Sequence, residues 1–156
     1  MTRYAGCVGL ALAGVLLACG NKTPVRPPEL VQPNPATSLD ARSAKEGVVL
    51  TWRRPNEYSG GGKMNDLGGF EIERASGEGA GDYAQIGRID LDDQTRFRPQ
   101  RDMAWTDTTA VPGGQYRYRV VAFTLDGYES APAGPATVVF DPSKAPPTPA
   151  GEGSKH

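Results

Sequence analysis

Apolar side chains recur at every second position in three runs of this chain. Val48, Leu50 and Trp52 alternate with Val49 and Thr51, and Phe70 and Ile72 alternate with Glu71 and Glu73. Tyr116, Tyr118, Val120 and Ala122 alternate with Arg117, Arg119, Val121 and Phe123. A spacing of two sends successive side chains to opposite faces of an extended strand, so each run offers one face to a core and the other to water. No stretch between 36 and 140 carries a convincing helical repeat, and the segment is therefore expected to be all-β. Weaker strand candidates lie near Ser38–Ser43, Tyr83–Ile89, Met103–Thr108 and Ala136–Phe140. About seven short strands in roughly 100 residues suit a two-sheet sandwich.

The connections agree. The chain has 20 Gly and 14 Pro, and several fall between the runs. Gly77-Glu78-Gly79-Ala80-Gly81 separates the third and fourth strands, Pro112-Gly113-Gly114 precedes the sixth, and Asp126-Gly127 marks a hairpin before the seventh. Each supplies the positive or fixed φ that a turn needs. Arg54 to Leu67, with Gly60, Gly61 and Gly62, is the longest segment without strand character.

Residues 4–17 are an uncharged, largely apolar run behind Arg3. A membrane-crossing helix needs about 20 such residues, whereas a short basic start with a shorter apolar centre describes a signal peptide. Leu16-Leu17-Ala18-Cys19 resembles the bacterial lipobox, in which the chain is cut before a Cys that then carries diacylglycerol. Residues 1–18 are accordingly expected to be a lipoprotein signal peptide and Cys19 the lipidation site. Attachment to a membrane would come from acyl chains, palmitate among them, since two or more hold stably where one does not. Cys7 would leave with the peptide and Cys19 would become a thioether, so no disulfide is expected. Prolines 24, 27, 28 and 33 make residues 19–34 a Pro-rich linker of extended polyproline character. Residues 141–156 carry no large apolar side chain and are expected to form a disordered tail.

The middle segment, residues 35–140, resembles a fibronectin type III domain. Val48-Val49-Leu50-Thr51-Trp52 resembles the second strand of that family with its core tryptophan, and Gly69-Phe70-Glu71-Ile72-Glu73-Arg74 the third. Trp105-Thr106-Asp107-Thr108 resembles the fifth, and Pro112 to Ala122 follows the pattern of the sixth. The resemblance implies an immunoglobulin-like seven-stranded β-sandwich in which Tyr116 is the tyrosine-corner residue, its hydroxyl bonded to backbone near Ala110. Ala110 stands where the family usually has Leu. A second likeness is at the anchor, where Cys19-Gly20-Asn21-Lys22-Thr23-Pro24 resembles the start of small outer-membrane lipoproteins associated with lipopolysaccharide-transport assembly. Gly20 after the Cys looks like the pattern sorted to an outer membrane, so the expected address is the bacterial cell envelope, at its outer membrane.

Chemistry is sparse. The lone His is His156, the last residue, which leaves no base for a Ser/His/Asp arrangement and no His for a zinc site. Asp90, Asp92 and Asp93, and Asn56, Glu57, Asn65 and Asp66, are oxygen-rich, but neither group has the ligand order of a calcium loop, and both read as solvated loops. Gly60-Gly61-Gly62-Lys63 lacks the spacing of a phosphate loop. No catalytic residue, metal site or cofactor is expected. Net charge is −1, which argues against nucleic acid as a partner. Trp52, Phe70, Tyr116 and Tyr118 belong to the core by their alternation. Tyr58, Met64, Phe123 and Tyr128 are not demanded by it and are candidate recognition side chains. On the solvent face, Glu71 and Glu73 are expected to stand beside Arg117 and Arg119, two acids against two bases. The expectation is a non-catalytic, lipid-anchored envelope protein whose single, monomeric domain binds a protein. The alternatives are an outer-membrane assembly accessory acting through its anchor segment, or a carbohydrate-associated module.

Overall fold

The computed structural model describes residues 27, 30–77, 79, 81–99 and 101–145. The signal peptide, Cys19, most of the linker and the tail beyond 145 lie outside them. Seven strands form in chain order: β1 (Thr37–Ala44), β2 (Gly47–Arg53), β3 (Leu67–Ser76), β4 (Ala84–Asp90), β5 (Asp102–Asp107), β6 (Gln115–Thr124) and β7 (Ala133–Val139). They make two antiparallel sheets, one ordered β1-β2-β5 and the other β4-β3-β6-β7. The expected all-β sandwich is the observed architecture.

The alternating runs supply the core. Leu50 and Trp52 from one sheet meet Phe70, Ile72, Tyr118 and Val120 from the other, all essentially without exposure. Trp52 meets Phe70 edge to face, with ring centroids 5.4 Å apart and an interplanar angle of 70°. Burying such side chains contributes about 1.5–3 kcal/mol each, which makes this inter-sheet layer the main source of stability.

Several boundaries differ from the sequence reading. β7 begins at Ala133 because Gly134 and Pro135 fall at a register shift between Tyr118 and Val120, where a strand at the sheet edge tolerates a residue without an N–H. The segment 91–101 holds a one-turn helix, α1 (Asp93–Arg96), whose N-cap Asp92 accepts from the Thr95 N–H at 2.7 Å. Residues 32–34, assigned above to the linker, are held on the domain. Pro33 forms an antiparallel bridge with Tyr58, and the Gln32 amide donates to the Glu129 carbonyl at 2.7 Å. At the other end, Phe140 joins the core and the Asp141 N–H donates to Ser43 Oγ at 3.0 Å. Pro142–Lys144 forms a 3₁₀ turn capped by Asp141, so the first residues of the expected tail are structured.

The loop from 54 to 66 is not irregular. Glu57 bridges Lys63 across a turn in which Gly61 and Gly62 adopt φ of 84° and 92°. The returning limb then inserts Met64 into the core.

Candidate functional site

The outward face of β3, β4 and β6 carries most of the side chains marked out for recognition. The antiparallel register sets Glu73 opposite Arg119, Glu71 opposite Val121 and Ala75 opposite Arg117. One acid and one base of the expected quartet therefore meet: Arg119 Nε donates to Glu73 Oε2 at 2.6 Å. Glu71 pairs instead with Arg88 of β4 at 2.6 Å, and Arg88 also reaches Asp90 at 3.0 Å. Arg117 faces no acid across the sheet, since its cross-strand neighbours are Ala75 and Thr137. The two-against-two ladder is corrected to Glu73 with Arg119 and Glu71 with Arg88, because register decides partners and alternation alone does not set it.

Aromatic rings organise this face. The Arg119 guanidinium lies 3.8 Å from the centroid of Tyr83 and that of Arg117 lies 5.7 Å from the same ring. Arg88 covers Phe123 at 3.9 Å. Guanidinium over a ring combines cation–π attraction with apolar contact and fixes a long side chain that would otherwise sample many rotamers. Tyr83 and Arg88 were not singled out in the sequence. Their signal was available: a lone Tyr precedes the weak fourth strand and a lone Arg lies within it, and that strand runs beside β3.

The four loop residues divide. Met64 is 7% exposed and belongs to the core, so its reading as a surface contact is corrected. Phe123 is buried beneath Arg88, and its ring also occupies the space over Gly68 and Gly69. Tyr58 is half-buried, with its hydroxyl donating to Asp66 Oδ1 at 2.7 Å. Tyr128 remains 47% exposed at the β6–β7 turn. Loop side chains escape periodic reasoning, because a loop crossing the end of a sandwich buries whichever residue closes the gap.

A buried polar cluster was missed altogether. Asp107, 1% exposed, accepts from Tyr118 Oη at 2.8 Å and Arg74 Nη1 at 2.6 Å through Oδ2, and from the Thr109 hydroxyl at 2.7 Å and N–H at 2.9 Å through Oδ1. Burial opposes its charge, but the bonds from Thr109, Tyr118 and Arg74 outweigh burial and hold the carboxyl below its ordinary value. The Tyr118 hydroxyl is pushed up by burial and by that carboxylate. Every acceptor position is filled, so the cluster is structural. Its signal was parity: Met103, Trp105 and Asp107 share a phase, and an acid on the inward phase requires a cation.

Four of the five acids in the oxygen-rich loops are likewise engaged. Asp92 caps α1, Asp93 pairs with Arg96, Asp90 with Arg88, and Asp66 accepts from Tyr58. Among the described residues no group of three or more His, Cys, Asp or Glu is arranged to hold a metal ion.

The tyrosine corner is present. The Val111 N–H donates to Tyr116 Oη at 2.9 Å, one residue beyond Ala110. With three strands facing four, β4 beside β3 and this corner at the start of β6, the topology is decided. The chain has the fibronectin type III fold. Solved structures with which it aligns include the twitchin kinase region from C. elegans (Fn31-NL-kin-CRD-Ig26), at 21% identity and TM-score 0.51 over 74% of this chain and 18% of that one. An Fn3-like protein from Clostridium thermocellum is 23% identical with TM-score 0.46, covering 69% of this chain and 93% of that one. A fourth FNIII domain of human is 20% identical with TM-score 0.47, covering 89% and 95%. The chain thus spans less than a fifth of the twitchin region it matches. No family model and no curated protein matches the sequence.

Proposed function

We propose that this chain is a non-catalytic, lipid-anchored protein of the bacterial envelope whose fibronectin type III domain is a protein-interaction module. The observation that carries the reading is the outward β3–β4–β6 face. There Glu73, Arg119 and Tyr83 form a braced, solvent-facing patch of charge and ring, while the buried carboxylate of Asp107 is saturated by structural partners. Pre-organised guanidinium and tyrosine side chains are the groups that carry binding energy at protein interfaces, because little rotamer freedom remains to be lost on docking. Anchoring is supported by Leu16-Leu17-Ala18-Cys19 and by the apolar run before it, and the address at the outer membrane by Gly20.

Metabolic labelling with a clickable fatty acid tests the anchor. Label should enter the wild-type protein, and Cys19→Ala should yield an unlabelled protein; label retained in that variant contradicts the reading. The sequence Cys19 to Pro24 favours a second reading, in which the anchor segment assists outer-membrane assembly. A lipidated segment 19–34 that restores assembly without the sandwich would select it.

A further inference from the structure

The loop from 54 to 66 and the α1 segment lean together at one end of the sandwich and leave a cleft of about 350 Å3. Arg54, Lys63, Arg96, Arg98 and Arg101 line it, and among the described residues no carboxylate does. Two of these cations are tied to neutral or outlying groups. Arg54 donates to the carbonyls of Thr95 and Arg98, and Arg96 donates to those of Leu67 and Leu91, both at 2.9 Å, while pairing with the exposed Asp93. Carbonyls satisfy donors but leave charge in place. Burial, and after it the positive charge of Arg101, lowers the proton affinity of the Arg54 guanidinium.

Arg101 donates from Nη2 to Asn56 Oδ1 at 2.7 Å and to the Arg54 carbonyl at 3.3 Å, but its Nε is buried with no acceptor. A buried donor on a charged group without a protein partner is costly, and a water or an anion in the cleft would satisfy it. Lys63 and Arg98 stand exposed beside it, and neither makes an ion pair among the described residues. Of the nearby acids, Asp92 caps α1, Asp66 accepts from Tyr58 and Asp102 pairs with Arg53, while the exposed Glu57 stands opposite Lys63 outside the cleft lining.

We propose that this cleft binds a phosphate-type oxyanion, with Arg101, Arg98 and Lys63 supplying the charge. Asp92 acts on Arg98 and Glu57 stands opposite Lys63, but neither carboxylate lines the cleft, and Arg101 has no acid partner among the described residues. A multiply charged tetrahedral anion can accept from a guanidinium fork and from an ammonium together. The phosphate has two sources: a soluble phosphorylated compound, or the headgroup of an anionic lipid. The cleft's own loop bridges Pro33 through Tyr58, so the chain enters the domain at this end, and Phe97, 66% exposed, stands at the rim.

The test titrates the full chain in non-ionic detergent micelles with inorganic pyrophosphate by calorimetry. In parallel, the full chain with Cys19→Ala is sedimented with vesicles of phosphatidylglycerol or of phosphatidylcholine. Lys63→Gln combined with Arg98→Gln removes two charges and leaves the backbone contacts intact. That pair should weaken binding of whichever probe binds by about five- to tenfold, as two exposed contacts of this kind do, with an unchanged thermal midpoint. Pyrophosphate binding that the pair weakens assigns the soluble source; phosphatidylglycerol preference that the pair abolishes, without pyrophosphate binding, assigns the headgroup. The remote pair Lys45→Gln with Lys144→Gln is the control for net charge. Binding of neither probe, equal binding by wild type and the Lys63/Arg98 variant, or an equal loss from the remote pair overturns the proposal.

Discussion

The Tyr118 hydroxyl donates to Oδ2 of Asp107 at 2.8 Å, so a side chain in the middle of β6 is tied to the last residue of β5 in the opposite sheet. Arg74 of β3 reaches the same oxygen at 2.6 Å. The sandwich is therefore joined across its apolar layer by one carboxylate. Such a link specifies how the two sheets face each other, a role that apolar packing, being non-directional, performs less well.

Asp107→Asn should lower the unfolding free energy by about 3 kcal/mol, since it leaves Arg74 beside a neutral amide and forces one amide N–H toward a donor. Urea titration at neutral pH measures this. A loss below about 1 kcal/mol would remove the cluster from the account of stability.

The same carboxylate sets an acid limit. Its folded pKa lies below the ordinary value, so its contribution is present above the unfolded carboxylate pKa of about 4 and disappears as pH falls through the folded value. Wild type should lose stability between neutral pH and pH 3 more steeply than Asp107→Asn. Parallel pH profiles for the two proteins would contradict this.

Tyr116→Phe removes the acceptor of the Val111 N–H. Val111 is largely exposed, so water can replace the hydroxyl and the expected cost is near the lower end, about 1 kcal/mol. The ring should stay in place beneath Arg74, whose guanidinium lies 5.0 Å from its centroid. Denaturation midpoints report the first claim and the near-ultraviolet circular dichroism the second.

Gly69 is required by close approach. A Cβ there would sit 1.9 Å from the backbone oxygen of Ile89 and 2.6 Å from Cζ of Phe123. Gly69→Ala should therefore force β4 off β3 at a cost of at least about 2–3 kcal/mol, and should raise hydrogen exchange in Gly87 to Asp90 selectively. Wild-type exchange in that strand would show that the sheet adapts.

Much of this fold could be read in the chain and some could not, for identifiable reasons. Trp52, Phe70 and Tyr118 announce themselves, because strand alternation converts directly into burial. α1 is a single turn, too short for periodicity, and its cap Asp92 read as one more acid in a polar loop. The partners of Glu71 and Arg117 depended on an offset of β3 against β6 that no alternation fixes, and on β4, whose Arg88 took the acid first. Met64 closes the end of the sandwich from a loop. Asp107 could have been found, since its phase matches Met103 and Trp105, but its cation lies far away in sequence at Arg74.

The outward β3–β4–β6 face is the proposed docking surface. A photo-crosslinking amino acid in place of the exposed Gln85, which stands opposite Glu73 in the register, reports on that face in intact envelopes, and one at Thr51, exposed on the other sheet, reports on its opposite. The prediction is a discrete adduct from position 85 that Arg119→Glu abolishes, with none from position 51. Adducts of the same size from both positions, or an adduct at 85 indifferent to Arg119→Glu, would contradict it.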